Sequence, residues 1–441
     1  MLGPNPFIGL RVEDMAASMR ELSGQAARQP ALLLEQGAGL VRELAAVLTG
    51  KSELAPTTSD KRFQDAAWQS NIFYRATLQN YLAWIKALNG VVEGSGLEGA
   101  AKDRAAFVIQ LLTDALAPTN TLLGNPGALK KFLDTGGASL LKGAQNLLHD
   151  ARANNGMPAQ VDMGAFELGK NLALSPGAVV FRNDVLELVQ YAPTTETVHA
   201  RPHLLVPPQV NKFYVFDISP GKSIIEFLRD SGFQTFAISW RNPTRAQSDW
   251  DMDTYVQGLL DAIGAVRAIT GAQDVNLHGA CSGAMTMAAL LGHLAAKDER
   301  SVHAATMMVA VLDSKAESQL GTFVTPQTVA AAKRKSQAAG VLEGKEMGRV
   351  FAWMRPNDLV WNYWVNNYLL GNDPPVFDIL YWNNDSTRLP AKFHAQMIDI
   401  FTDNLLVQPG ALTVLGTPID LAQVDCDKYM LAGVTDHITP W

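Results

Sequence analysis

Apolar residues recur at helical spacing through roughly the first 150 positions and then change period. Leu32, Leu33, Leu40, Val41, Leu44 and Val47 fall in a stretch rich in Ala, Leu, Glu and Gln, which predicts helix from residue 1 to about 50. Residues 50–60, Gly-Lys-Ser-Glu-Leu-Ala-Pro-Thr-Thr-Ser-Asp, are polar and turn-forming and read as a linker. A second helical block follows, carrying Phe63, Trp68, Phe73, Tyr74, Tyr81 and Trp84, aromatics expected to anchor packing rather than hold a cofactor. Pro118, Pro126 and the Gly136–Gly137 pair break it before about residue 150.

After about residue 175, short β-rich runs alternate with helical ones. Strands are predicted at 178–182, 185–191, 203–206, 213–217, 234–239, 275–278 and 305–311, and helices at 223–230 and 252–270. Such alternation predicts a mostly parallel sheet with crossover helices. Residues 318–395 interrupt it with a dense set of aromatics and amides, among them Phe351, Trp353, Trp361, Tyr363, Trp364, Asn366, Asn367, Tyr368 and Trp382. They read as a cap inserted into the catalytic domain, because α/β folds carry function on insertions at the carboxyl ends of strands. The plainer alternative is a pair of outer helices with large packing residues. Strand pattern returns at 428–431.

Composition narrows the field. Of 441 residues, 47% are hydrophobic and only 18% charged, below the roughly 25% charged of ordinary soluble domains. Exposed apolar surface is therefore expected, for a water-poor substrate or a partner, although a large core would give the same numbers. The net charge of −7 and the lack of any basic run longer than Lys333-Arg334-Lys335 exclude a nucleic-acid binder. Two cysteines, Cys281 and Cys426, are no disulfide framework. The N-terminus lacks the features of a secretory signal, and no apolar run reaches about 18 residues. No transmembrane segment and a cytoplasmic location are expected, with no cofactor and no metal site.

The strongest chemical signal is Val275-Asn-Leu-His-Gly279-Ala280-Cys281-Ser282-Gly283, an apolar strand running into Gly-x-Cys-x-Gly and then into a helix rich in Ala, Met and Leu. Such a strand–turn–helix elbow forces its central residue into a strained turn. Small residues on either side let the backbones pass closely. The helix N-terminus behind it favours a thiolate and a developing oxyanion. Cys281 is the expected nucleophile, against the alternative of a buried cysteine in a tight junction. Ser282 is the weaker nucleophile candidate, and His278 is expected to pack or cap. The oxyanion hole of this fold takes the amide after the nucleophile, here Ser282, and a second from the loop after an early strand. That second amide is read as Val210, with Gln209 nearly as good, unless Pro207-Pro208 merely stiffen a turn. Asp436, just past a short strand, is placed as the triad acid. His437 is the less favoured base, since an acid seldom orients its neighbour in sequence. The triad histidine is thus expected to be absent from the chain as written. The predicted architecture is an α/β-hydrolase catalytic domain over 176–441, with the cap at 318–395, preceded by a helical N-terminal domain over 1–175.

These residues carry a family resemblance. Asp60-Lys-Arg-Phe, Tyr81-Leu-Ala-Trp84, Pro207-Pro-Gln-Val-Asn-Lys-Phe-Tyr214, Ser239-Trp-Arg-Asn-Pro243, Gly279-Ala-Cys-Ser-Gly283, Tyr381-Trp-Asn-Asn-Asp385 and Thr435-Asp-His-Ile-Thr-Pro-Trp441 resemble a polyhydroxyalkanoate synthase of the class II, medium-chain-length type. The long run Phe351-Ala-Trp-Met-Arg-Pro-Asn-Asp-Leu-Val-Trp-Asn-Tyr-Trp364 adds to the match. The resemblance implies polymerisation of (R)-3-hydroxyacyl-CoA into an intracellular polyester with release of CoA. It implies Cys281 as the acylated residue and Asp436 as the acid, and as partners the growing chain, the granule surface and a second subunit in a homodimer. In that family the base is a different histidine downstream of the Asp-His pair, so the chain is expected to be C-terminally incomplete. Ala284 stands where the family has a further glycine, a change expected to tune packing. The competing expectations are a cysteine-type thioesterase or depolymerase, and an inactive granule-associated fragment.

Overall fold

The change of period near residue 175 marks a change of architecture. The computed structural model describes residues 5, 7–315, 321–434, 436 and 438. Up to Ala153 the chain is helical: α1 (Val12–Ala27), α2 (Pro30–Leu48), α3 (Ile72–Gly94), α4 (Gly99–Ala115), α5 (Pro126–Asp134) and α6 (Ala138–Ala153). Prolines open α2 and α5 at the first helical turn, where a missing N–H costs nothing. Asn71 and Asn125 cap α3 and α5 through their side chains. Gly136 and Gly137, both at positive φ, turn the chain between α5 and α6. Phe63, Trp68, Tyr74 and Tyr81 close into one buried cluster, as packing anchors should. Phe73, 61% exposed, and the half-buried Trp84 stay outside it.

Seven strands make the central sheet: β1 (Gly177–Arg182), β2 (Leu186–Tyr191), β3 (His203–Val206), β4 (Thr235–Trp240), β5 (Val275–Ala280), β6 (Val302–Met308) and β7 (Asp427–Leu431). Their order is β1-β2-β4-β3-β5-β6-β7. β1 and β2 join antiparallel, and every pairing from β4 to β7 is parallel. Helix α7 (Ile224–Asp230) and α8 (Met252–Thr270) fall where predicted, α8 residue for residue. An Asp251–Thr254 capping box starts α8 and Gly271 in the left-handed region ends it. Helix α9 (Ser282–Ala296) is buried almost all round between the sheet and the segments outside it. This is the α/β-hydrolase arrangement.

The strand predicted at 213–217 is instead a 3-10 turn, Phe213–Phe216. Its alternating Tyr214 and Phe216 are both buried, which mimics strand periodicity. The flanks of β3 are already taken by β4 and β5, so no sheet edge remains for it. The segment is held from outside: Tyr214 donates to Asp385 at 2.8 Å and the Trp382 indole to the Lys212 carbonyl at 2.8 Å.

Between β6 and β7 lie α10 (Pro326–Ala339), α11 (Gly344–Met354), α12 (Asp378–Asn384) and α13 (Ala391–Asp403). Two wide π-helical stretches, Asn357–Trp361 and Val365–Leu369, sit among them. The amide-rich composition of this segment and its neighbours has a local cause. Widened turns misalign backbone carbonyls, and side-chain amides meet them: Gln160 donates to Leu359 O at 2.7 Å and Asn146 to Asn367 O at 3.0 Å. The N-terminal helices thereby pack on the inserted segment. Arg62 is the hub, bonding Asp60 at 2.9 Å and Asp114 and Asn357 at 3.1 Å each. Burial holds the Asp114 carboxyl above its usual range despite Asn357 and Arg62. Removing the guanidinium strands a buried carboxylate, so Arg62→Ala is expected to cost about 3 kcal/mol, read as a lower urea midpoint.

Apolar side chains also face solvent, notably Leu34 and Leu48 on α2 and Leu141 on α6. No helix among the described residues is long and apolar enough to cross a membrane.

Candidate active site

β5 delivers the chain to Ala280, α9 begins at Ser282, and Cys281 between them sits at φ 51°, ψ −124°. A β-carbon there is strained by about 1–3 kcal/mol, and the surroundings must hold it. The two glycines of the motif have separate reasons. A Cβ on Gly279 would lie 2.8 Å from Ala284 Cα, and one on Gly283 would lie 2.4 Å from the Pro207 carbonyl oxygen. Ala284 is itself fully buried with its methyl accommodated. The Cys281 amide donates to Met308 O at 2.9 Å, pinning the apex to the end of β6.

A second strained residue lies beside it. Val309, directly after β6, has φ 44° and lines the same cavity as Cys281. For a β-branched residue that is a true outlier. The sequence holds no sign of it, because Val is otherwise a strand former.

The cavity at the sulfur is about 50 Å³ and is walled by Asn5, Phe7, Val210, Ser282, Met285, Val309, Val311, Met347, Phe351, Phe401 and Ile438. Cys281 keeps partial exposure as a residue, yet burial is the largest influence on its thiol and pushes it above the ordinary range. The Ser282 amide, hydrogen-bonded to the sulfur, works the other way, and the nearby Asp436 carboxylate raises the thiol further. Asp436 stands in the loop after β7, its Oδ1 accepting from the Ile438 amide at 2.8 Å. So the structure brings Cys281, Ser282, Val210 and Asp436 to one place.

The loop after β3 is tied on two sides. The Gln209 amide donates to Ser282 Oγ at 3.2 Å, and its side chain donates to Thr286 at 2.9 Å. From the inserted segment, the Thr387 hydroxyl donates to the Gln209 carbonyl and the Thr387 amide to Val210 O at 3.0 Å. Gln209 therefore has its amide engaged, while Val210 borders the cavity with the sulfur. Thr387 lies 178 residues from Gln209 in the chain, and nothing in the sequence flags it. Ser282→Ala unfastens this loop while leaving the sulfur in place. Acyl transfer is expected to fall about tenfold, with the rate of iodoacetamide alkylation of Cys281 unchanged; a stopped assay for each reads the difference.

No histidine lines this cavity among the described residues. His278 contacts Met308 Sδ at 2.6 Å, and burial lowers its pKa to about 4, so it packs as a neutral ring. His293 bonds Val414 O, and His394 bonds Ser336 and Phe7 O. His437 lies outside the described residues.

Comparison with known proteins fits this geometry. Residues 59–228 match the family described as the poly-beta-hydroxybutyrate polymerase N-terminus, and residues 202–441 match the alpha/beta hydrolase fold. Poly(3-hydroxyalkanoate) polymerase 1 of Ectopseudomonas oleovorans is 58% identical over 440 residues, spanning 100% of this chain and 78% of that protein. Polymerase 2 of the same organism is 51% identical over 99% of this chain and 78% of its own length. The poly(3-hydroxyalkanoate) polymerase subunit of Cupriavidus necator is 37% identical over 90% of this chain and 68% of its own length.

Proposed function

Because the chain belongs to the poly(3-hydroxyalkanoate) polymerase family, with 58% identity to one such polymerase along its whole length, we propose that Cys281 is the residue that carries the acyl chain while it is polymerised. The reaction is polyester synthesis from 3-hydroxyacyl-CoA. The greater identity to the two Ectopseudomonas polymerases than to the Cupriavidus one agrees with the class II expectation, and medium-length (R)-3-hydroxyacyl groups are the proposed substrates.

The steps follow from the site. The Cys281 sulfur, once deprotonated, attacks the thioester carbonyl, and the negative charge on its oxygen is received by the amides of Ser282 and Val210. The bond from carbon to the CoA sulfur breaks, CoA leaves with a proton, and an acyl-cysteine thioester remains. The 3-hydroxyl of another unit then attacks that carbonyl as the base takes its proton; an ester bond forms, the carbon–sulfur bond to Cys281 breaks, and the proton returns to the sulfur. Exchange of one thioester for another is nearly neutral in energy, so the barrier and not the equilibrium is what the site must lower. With its thiol above the ordinary range, Cys281 needs a base. Asp436 is the acid proposed to orient and stabilise that base. The resemblance puts the family's histidine beyond the Asp436–His437 pair, and the given sequence holds no histidine after His437.

A single observation carries this reading: the sulfur stands at a strained apex, under the Ser282 amide, in a cavity walled by apolar side chains. Such walls exclude water, which favours polymerisation over hydrolysis. The inserted segment 318–395 supplies Met347 and Phe351 to them, which supports its role as a cap, next to a helical N-terminal domain over 1–175. The exposed leucines of α2 and α6 support contact with the polyester granule; a homodimer working there rests on the resemblance. The test is to incubate the protein with 3-hydroxydecanoyl-CoA and analyse the product. Polymer in step with CoA release is expected, and stoichiometric free 3-hydroxy acid would mean a thioesterase.

A further inference from the structure

The cavity at the Cys281 sulfur is too small for the substrate. It measures about 50 Å³, whereas ligand sites run to about 300–1,000 Å³. A second cavity, of about 790 Å³, shares one wall residue with it, Phe7. Helix α11 continues the partition. Met347 and Phe351 face the thiol cavity, and Val350 and Trp353 line the larger chamber. Across the chamber lie Val108, Leu111 and Leu112 of α4.

The chamber is apolar on its walls, and of its cations Lys335 pairs with Glu346 at 2.7 Å and Arg11 with Asp14 at 2.6 Å, leaving Arg349 without a carboxylate partner among the described residues. Alkyl walls with one unpaired guanidinium match an alkyl tail joined to a phosphate-bearing head. A neutral polyester chain would gain nothing from that charge. The Phe7 main chain is fixed on both sides, its amide donating to Asn5 Oδ1 at 2.9 Å and its carbonyl bonded to His394 Nε2 at 2.6 Å. Only the ring is left to move, by rotamer change.

We propose that this chamber docks the acyl-CoA substrate, its acyl chain against α4 and α11 and its phosphates by Arg349, and that the Phe7 ring is the gate between chamber and thiol. The proposal rests on the polymerase reading, and deepens it by assigning an entry path. It makes the N-terminal segment part of the substrate site rather than a mere appendage to the catalytic domain.

The test uses the full chain carrying Cys281→Ala and the probe decanoyl-CoA, which has no 3-hydroxyl, with affinity measured by calorimetry. Arg349→Glu and, separately, Leu111→Trp should each weaken binding about tenfold. Arg182→Glu, at the far end of the sheet in β1, should change it less than twofold. In the Cys281 protein, Phe7→Ala should speed alkylation by N-decyl iodoacetamide about tenfold and alkylation by iodoacetamide far less. Phe7→Leu, a milder change, should give a smaller shift in the same direction. Unchanged affinity in both chamber variants overturns the docking site, as does equal binding of the neutral methyl decanoate. Identical long-chain alkylation in both Phe7 variants overturns the gate. A chain that binds decanoyl-CoA as described yet never acylates Cys281 would instead sink the nucleophile reading and leave the chamber standing.

Discussion

Replacing Cys281 with alanine lowers CoA release from 3-hydroxydecanoyl-CoA by at least about ten-thousandfold, with the fold intact. Alanine keeps the β-carbon and hence the strained backbone at φ 51°, so the change removes the sulfur alone. No neighbour can substitute. The Ser282 hydroxyl is buried and accepts from the Gln209 amide, and Cys426 lies in a different cavity, near Asp274 and His303 behind the sheet edge. Free CoA resolved by chromatography, alongside a urea melt, checks both halves. A variant that melts like the parent and still releases CoA at more than a hundredth of its rate would remove Cys281 from the mechanism.

Asp436→Asn separates acidity from catalysis. The carboxylate is one of the influences that raise the Cys281 thiol. Neutralising it lets the thiol pKa fall, so at any fixed pH below that pKa the thiolate fraction rises. Iodoacetamide alkylation of Cys281 should therefore quicken several-fold and reach its plateau at lower pH. Acyl transfer should nonetheless drop about a thousandfold, because the base loses the charge that orients and stabilises it. The two rates move in opposite directions, which a misfolded variant would not produce. If both fall together, Asp436 is a structural residue; if neither moves, its charge is not felt at the sulfur.

Much of this was readable in the sequence, for definite reasons. Helix α8 announces itself through Asp251, Thr254 and Gly271, which are local signals, and the Gly279–Gly283 motif lies on contiguous residues whose geometry is set by the strand before and the helix after. The turn at Phe213–Phe216 carries the pattern of a strand because alternate burial on a 3-10 turn copies that period. Sequence alone leaves Gln209 and Val210 open as the second amide, since the Gln209 amide is engaged only through Ser282 Oγ, 73 residues away in the chain. The roles of Phe7 and Asn5 were invisible for the same reason. Their contact with the site is made across almost the entire chain, and short apolar and amide residues near a terminus carry no motif. The strain at Val309 shows only in the backbone.

The central claim is a covalent bond to one sulfur, and the most direct measurement is peptide mass spectrometry after brief incubation with 3-hydroxydecanoyl-CoA and acid quench. The account predicts a 3-hydroxydecanoyl adduct, or a short oligomer of it, on the peptide containing Cys281 and absent from the Cys281→Ala protein. Turnover of the thioester with that peptide unmodified, or an adduct on Cys426 or Ser282 instead, would contradict it.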